Sequence, residues 1–409
     1  MPGVRRIYEW LSEGVTWKQE LDTLNNEQEI ANFTVRVGNY PHIRKAFGED
    51  AAHDVIDQLV NRINQVLKGD GLASPAFQGK ILVRLTKASH LQTGTTPATF
   101  QSWLWALCAA LSTLPIKAGA DVIFPMLWAS WGNLPDVEDV GALEPADPWH
   151  VDELARVCEV GDGNVAAWAQ RYRADMTLAA EVLAAITPRE IGKGKEDVRF
   201  LLLLWQPVQD ARAPSSILYH EALLRFVDRQ GVWIAPSQSL LALERLGLIG
   251  LLDQHVVSRV IDRLEADPDV RVGVNISARS ARCDMWWREI IARLRAAPEV
   301  ARRLTIEITE TAELPDMTSA VRFVDGVKKL GCKVALDDFG VGFTSIRQIL
   351  ALRPDIVKID GFFMREADLS ARGRELFGHL VQVTRSFGAT VVVEGVETEA
   401  QSQLAVRFG

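Results

Sequence analysis

The chain has 409 residues, with 45 Lys and Arg against 53 Asp and Glu and a formal net charge of −8. At 24% charged and 48% hydrophobic residues it is long enough for two or three domains with separate cores, and no basic stripe offsets the acidity, which excludes a nucleic-acid polymer as the expected partner. Its four cysteines form no Cys-x-x-Cys pair and read as reduced thiols, so the expected location is cytoplasmic.

The opening Met1-Pro-Gly-Val-Arg-Arg-Ile-Tyr-Glu-Trp10 carries charges where a signal peptide needs an apolar core. No apolar run approaches the roughly 18 to 20 residues that span a bilayer, so no transmembrane segment is expected. Ile7, Trp10, Leu11 and Trp17 suggest an amphipathic packing helix within residues 1–29. Residues 30–135 read as an α/β domain. Thr34–Val37 is a strand, Pro41–Leu67 a helix with Val55, Ile56, Leu59, Ile63 and Val66 as its stripe, and Gly79–Leu85 a second strand. Phe100–Leu114 follows as an apolar helix and Ala120–Leu127 as a strand. Residues 136–190 start with an acidic, proline-punctuated loop and end in a connecting helix over Ala166–Ile186.

From residue 191 the pattern changes. Apolar runs recur, each closing on a polar residue: Phe200–Trp205 before Gln206, Ile217–His220 before Glu221, Val272–Val274 before Asn275 and Leu304–Ile306 before Glu307. Cys332–Leu336 runs into Asp337-Asp338-Phe-Gly-Val-Gly, Ile356–Ile359 encloses Lys358, and Thr390–Val393 precedes Glu394. The intervals of about 20 to 50 residues suit βα units, and units that each deliver one polar residue to a strand end describe a (βα) barrel with its site on the carboxyl-terminal face. Adjacent carboxylates at Asp337 and Asp338 repel unless a cation or a proton neutralises them, and hard oxygen ligands suit Mg²⁺ or Mn²⁺. Lys358 is a polar residue inside a buried strand, which points to function rather than to solvation.

With Glu221-Ala-Leu-Leu-Arg225 and the other motifs in this order, residues 191–409 resemble the EAL family of cyclic di-GMP phosphodiesterases. The resemblance implies an α/β fold with a (βα)8-type, TIM-like barrel, a two-metal Mg²⁺ or Mn²⁺ site, and hydrolysis of cyclic di-GMP to linear pGpG. It implies Glu221, Asn275, Glu307, Asp337 and Asp338 as metal ligands, and Lys358 beside the attacking water and phosphate. Glu394 becomes either a second-metal ligand or a general base. Glu310 becomes an anchor of the Gly340–Ser345 loop or a helix-capping acid. Gln206, Arg225, Asp360 and Glu397 become substrate contacts. A homodimer through this domain is the assembly it admits.

Departures accompany the resemblance. Tyr219-His220 stands where the family has Gly-Tyr, and Leu243-Glu-Arg-Leu-Gly247 replaces Ala-Glu-Glu-Thr-Gly. Seven barrel strands are countable up to Thr390–Val393; the family's last strand, with its Gln, is not in the sequence. The element order of residues 30–135 resembles the palm of the GGDEF family, but Arg36 and Gly38 stand where metal-binding aspartates are expected, and Arg84-Leu85 leads into Thr86-Lys-Ala-Ser-His90 rather than the family signature. The expectation is a degenerate, non-cyclase domain; an unrelated α/β sensor is the alternative. For the whole chain, the alternative to an enzyme is a silent cyclic di-GMP receptor or scaffold.

Overall fold

The computed structural model describes residues 32–86, 97–130, 162–186, 200–227, 233–234, 236–282, 287–309, 314, 316–341 and 346–408. The expected helix within residues 1–29 and the loop of 136–161 lie outside them. The chain divides into two compact units, residues 1–199 with 237–248 and residues 200–236 with 249–409.

In the first unit, β1 (Asn32–Val37) buries alternate residues Phe33, Val35 and Val37, the period of a strand with one covered face. The helix expected over 41–67 is two helices, α1 (Tyr40–Phe47) and α2 (Glu49–Leu67), parted at Gly48. The α2 stripe is buried at Val55, Ile56, Leu59, Ile63 and Leu67, with Leu67 rather than Val66 completing it. A strand not foreseen in the sequence, β2 (Gly71–Pro75), forms a hairpin with β3 (Lys80–Leu85), and α3 (Pro97–Ser112) follows.

The strand expected over 120–127 is divided. β5 (Asp121–Ile123) turns back on β4 (Ile116–Ala118), and β6 (Leu127–Ser130) joins the main sheet instead. Pro125, between them, has no N–H for a ladder. The main sheet is antiparallel in the order β2-β3-β1-β6, so the unit follows a βαββαβ plan. Its long helix α4 (Asp162–Ile186) buries Trp168, Tyr172, Met176, Ala179 and Leu183, a helical spacing. Asn39 at the end of β1 donates to Phe124 O (2.9 Å) and to the Tyr172 hydroxyl (3.2 Å), and accepts from Met126 N–H (2.9 Å).

The second unit starts with a correction to the repeated βα reading. β7 (Phe200–Asp210) and β8 (Ala213–Val227) form an antiparallel hairpin, with no helix between them. After the short β9 (Trp233–Ile234), which pairs with β8, comes α5 (Ser237–Leu246). That helix belongs to the first unit, where Arg245 makes a bidentate ion pair with buried Asp175 at 2.6 and 2.8 Å.

From α6 (Ile249–Ala266) onward strands and helices alternate. β10 (Val272–Ser277) leads to α7 (Arg288–Ala296) and α8 (Pro298–Ala301), and β11 (Leu304–Thr309) to α9 (Met317–Lys329). β12 (Lys333–Phe339) leads to α10 (Ile346–Leu352), and β13 (Ile356–Ile359) to α11 (Gly361–Leu369) and α12 (Ala371–Ser386). β14 (Thr390–Val393) and α13 (Glu399–Phe408) follow. The sheet order is β7-β8-β10-β11-β12-β13-β14, parallel from β8 onward, and it curls as a TIM-like half-barrel. All four residues of β13 are buried, as expected of a parallel strand covered on both faces. No described helix is long and apolar enough to cross a membrane.

Candidate active site

From β10 to β14 each strand carries its polar residue at or near its carboxyl end, Glu221 lies mid-way along the long β8, and curling of the sheet draws these residues together. Lys358 lies at the centre. Its Nζ is 3.0 Å from Glu221, 2.8 Å from Glu307, 2.9 Å from Asp337 and 2.8 Å from Glu394. The Lys358 side chain is 1% exposed and that of Glu307 is fully buried, so the charges persist only by facing one another.

Burial works against the ammonium, but the carboxylates of Glu307, Asp337, Glu221 and Glu394 outweigh it and hold the Lys358 pKa above its usual range. Burial pushes the Glu307 carboxyl pKa up, an effect that Lys358 only partly offsets. Glu394 is also raised, by burial first and then by the charge of Asp337. A single ammonium facing four carboxylates leaves negative charge uncompensated if all four ionise.

Consecutive strand residues face opposite sides, yet the sequence has adjacent acids at 337 and 338. The backbone resolves this at Asp338, which adopts a left-handed conformation (φ 55°), and the register of β12 against β13 shifts between Leu336 and Phe339. The irregularity ends the regular ladder and re-aims a side chain, a usual role for bulges beside sites. Asp338 N–H donates to Asp337 Oδ1 at 3.1 Å. Burial, then the charges of Asp337 and Asp360, raise the Asp338 carboxyl pKa to about 6.

Oxygens of Glu221, Glu307 and Asp337 lie within 4.8 Å of one another, as do those of Asp337, Asp338 and Glu394. Asp337 is common to both groups. Asn275 donates from Nδ2 to Glu221 at 2.7 Å, leaving its buried Oδ1 without a hydrogen-bond partner among the described residues. An all-oxygen donor set with a free amide oxygen and a shared carboxylate fits hard divalent cations. The acidic cluster can hold a metal ion.

Residues 197–409 match the EAL domain family, and that match covers just over half of the chain. The chain belongs to the EAL domain family. Over 203 residues it is 30% identical to the cyclic di-GMP phosphodiesterase PdeB of Shewanella oneidensis, covering 49% of this chain and 24% of that protein. Over 229 residues it is 28% identical to the cyclic di-GMP phosphodiesterase PdeL of Escherichia coli, covering 55% and 63% respectively. An EAL enzyme solved in a cAMP-bound form superposes with a TM-score of 0.50 at 19% identity, covering 63% of this chain and 72% of that one, a likeness of fold. The chain spans less than two thirds of the length of these curated relatives.

Other sequence-selected residues of the EAL domain lie around the cluster. Gln206 is paired across the hairpin with Glu221 and is exposed. Arg225, half-buried further along β8, donates from Nη1 to Leu224 O at 2.7 Å. Asp360 caps α11 by accepting from Phe362 N–H at 2.6 Å. Glu397 is exposed, and its N–H donates to Gln401 Oε1. Among the described residues neither Asp360 nor Glu397 makes a hydrogen bond or ion pair with the Lys358 cluster, although the charge of Asp360 acts on Asp338. Glu310 and residues 342–345 of the expected loop lie outside those residues.

Sequence reasoning missed one neighbour of the cluster. Tyr219 is buried two residues before Glu221 on the same face of β8, and was noted only as a departure from the family pattern. The period-two alternation of β8 was the signal that could have found it.

Proposed function

We propose that the chain hydrolyses cyclic di-GMP to linear pGpG with Mg²⁺ or Mn²⁺ at a two-metal site. The observation that carries this reading is the convergence of Glu221, Glu307, Asp337 and Glu394 on one point of an EAL domain. Glu221, Asn275, Glu307 and Asp337 would hold one ion, and Asp337, Asp338 and Glu394 the other. Glu394, half-buried like Asp338 in the second group, is assigned here to the second ion. The bound ions would supply hydroxide near neutral pH and neutralise charge developing on the phosphodiester.

The protein's own groups do the rest. Lys358 holds the acids together against their mutual repulsion, which keeps the site organised before substrate arrives. Arg225 offers a planar fork suited to a non-bridging phosphate oxygen, and Gln206 offers an amide at the rim. In the reaction water adds to phosphorus, the P–O3′ bond breaks, and the 3′ oxygen takes up a proton. The full barrel is of the (βα)8 type, and its substrate contacts include Asp360 and Glu397.

Residues 30–135 are read as a GGDEF-like domain without cyclase activity. Its βαββαβ plan supports the likeness. Its chemistry opposes synthesis: the Arg36 guanidinium stacks 5.3 Å from the centroid of the Trp128 ring, and the same ring covers Gly38, where a Cβ would collide with it. Indole thus fills the space beside the two positions where carboxylates are expected.

The test is incubation of the purified chain with cyclic di-GMP and either Mg²⁺ or Mn²⁺, with products separated by chromatography. Formation of pGpG that disappears with chelator and in Glu221→Gln supports the enzyme. Tight cyclic di-GMP binding with no cleavage under any of these conditions overturns it in favour of a receptor.

A further inference from the structure

Beneath the carboxylates the half-barrel interior is lined by Tyr219, Ala335 and Ile356, with Val208 and Val392 packed against them. Of these five only Tyr219 carries a polar group, and it is 3% exposed. Its room comes from Gly273 on the neighbouring β10. A Cβ at Gly273 would lie 2.6 Å from Tyr219 Cε2 and would also collide with Glu307 Oε1. The tyrosine ring and the glutamate therefore share the space that the missing side chain leaves.

Both polar groups in that space are unsatisfied. The Tyr219 hydroxyl lies close enough to Glu307 to interact with it, yet neither the hydroxyl nor either oxygen of Glu307 makes a well-directed hydrogen bond among the described residues. The Lys358 ion pair at 2.8 Å engages Glu307 Oε2. At neutral pH a phenol keeps its proton, so the hydroxyl is a donor. Buried donors and acceptors are almost always paired, and the carboxylate that shares the Gly273 space with the ring is an acceptor for the hydroxyl.

We propose that Tyr219 is a positioning residue that donates its hydroxyl hydrogen bond to Glu307 and fixes the rotation presenting the carboxylate to the metal. This rests on the two-metal reading above. A hydrogen bond to a ligating carboxylate fixes its orientation and favours the ionised form that binds a cation.

The test is calorimetric titration of the full chain with MnCl₂, comparing wild type with Tyr219→Phe, beside thermal unfolding of both in chelator. The substitution keeps the ring over Gly273 and removes only the hydroxyl. The expected result is Mn²⁺ affinity weakened about tenfold, in the range for loss of an outer-shell partner. Affinity within twofold of wild type overturns the proposal, including where the unfolding midpoint falls, since that pattern belongs to a packing role alone. A wild-type chain that binds no Mn²⁺ overturns the two-metal reading and this inference with it, which separates that failure from failure of the positioning role.

Discussion

Lys358 Nζ lies 2.8 Å from a carboxylate oxygen of Glu307, and neither side chain is more than 1% exposed. A cation and an anion so deeply buried are each intolerable alone and stable together. Glu221, Asp337 and Glu394 complete the ring around the ammonium. In the chelated protein, therefore, Lys358 is the structural counter-ion of the site.

Replacing it with an apolar isostere should expose that role. Lys358→Met leaves the carboxylates without their ammonium, and removing one partner of a buried pair costs about 3 to 5 kcal/mol. Denaturant unfolding in chelator should show a loss of this size, and Mn²⁺ should restore much of it by supplying the missing positive charge. A loss that Mn²⁺ leaves unchanged would mean that the acids do not bind the ion.

Asp338 provides a pH test. Its pKa is raised in the folded chain to about 6, above the ordinary carboxyl range. The folded state therefore binds this proton more tightly than the unfolded state, and stability falls as pH rises from about 4 to about 6 before levelling off. Subtracting the profile of Asp338→Asn isolates the group. Wild type should lose ground to the variant across that window, and Mn²⁺ binding should strengthen through it as the proton is displaced. Parallel stability profiles would refute the assignment.

The same residue should show a trade of stability for function. Asp338 holds a left-handed backbone (φ 55°), which glycine adopts without steric penalty. Asp338→Gly should stabilise the metal-free chain by about 1 kcal/mol while abolishing pGpG formation, because the strain and the lost carboxylate belong to one position. Urea midpoints alongside the hydrolysis assay would check both halves.

In the first unit, the Trp128 ring covers Gly38. Gly38→Ala must displace that ring or the backbone, at the cost of about 1 to 3 kcal/mol usual for overpacking. Incubated with GTP and Mg²⁺, residues 1–190 and the full chain should make no cyclic di-GMP. Detectable synthesis would overturn the reading of Arg36 and Gly38 as replacements for metal ligands.

Much of the site was legible in one dimension because each strand announces itself locally. A short apolar run closing on Glu, Asn or Asp identifies both the strand and its functional residue, and Lys358 between Val357 and Ile359 could only be a buried charge with partners. Motif order supplied the family. The partners themselves were not legible: Lys358 and Glu221 are 137 positions apart, and only curling of the sheet decides that they touch. Tertiary structure also decided that α5 packs with the first unit and that the Tyr219 ring and Glu307 share the space beside Gly273. It set the left-handed turn that aims Asp338 and made β7 and β8 a hairpin. Hydrophobic periodicity is a property of neighbours along the chain, whereas close packing and charge compensation are settled among residues that folding brings together.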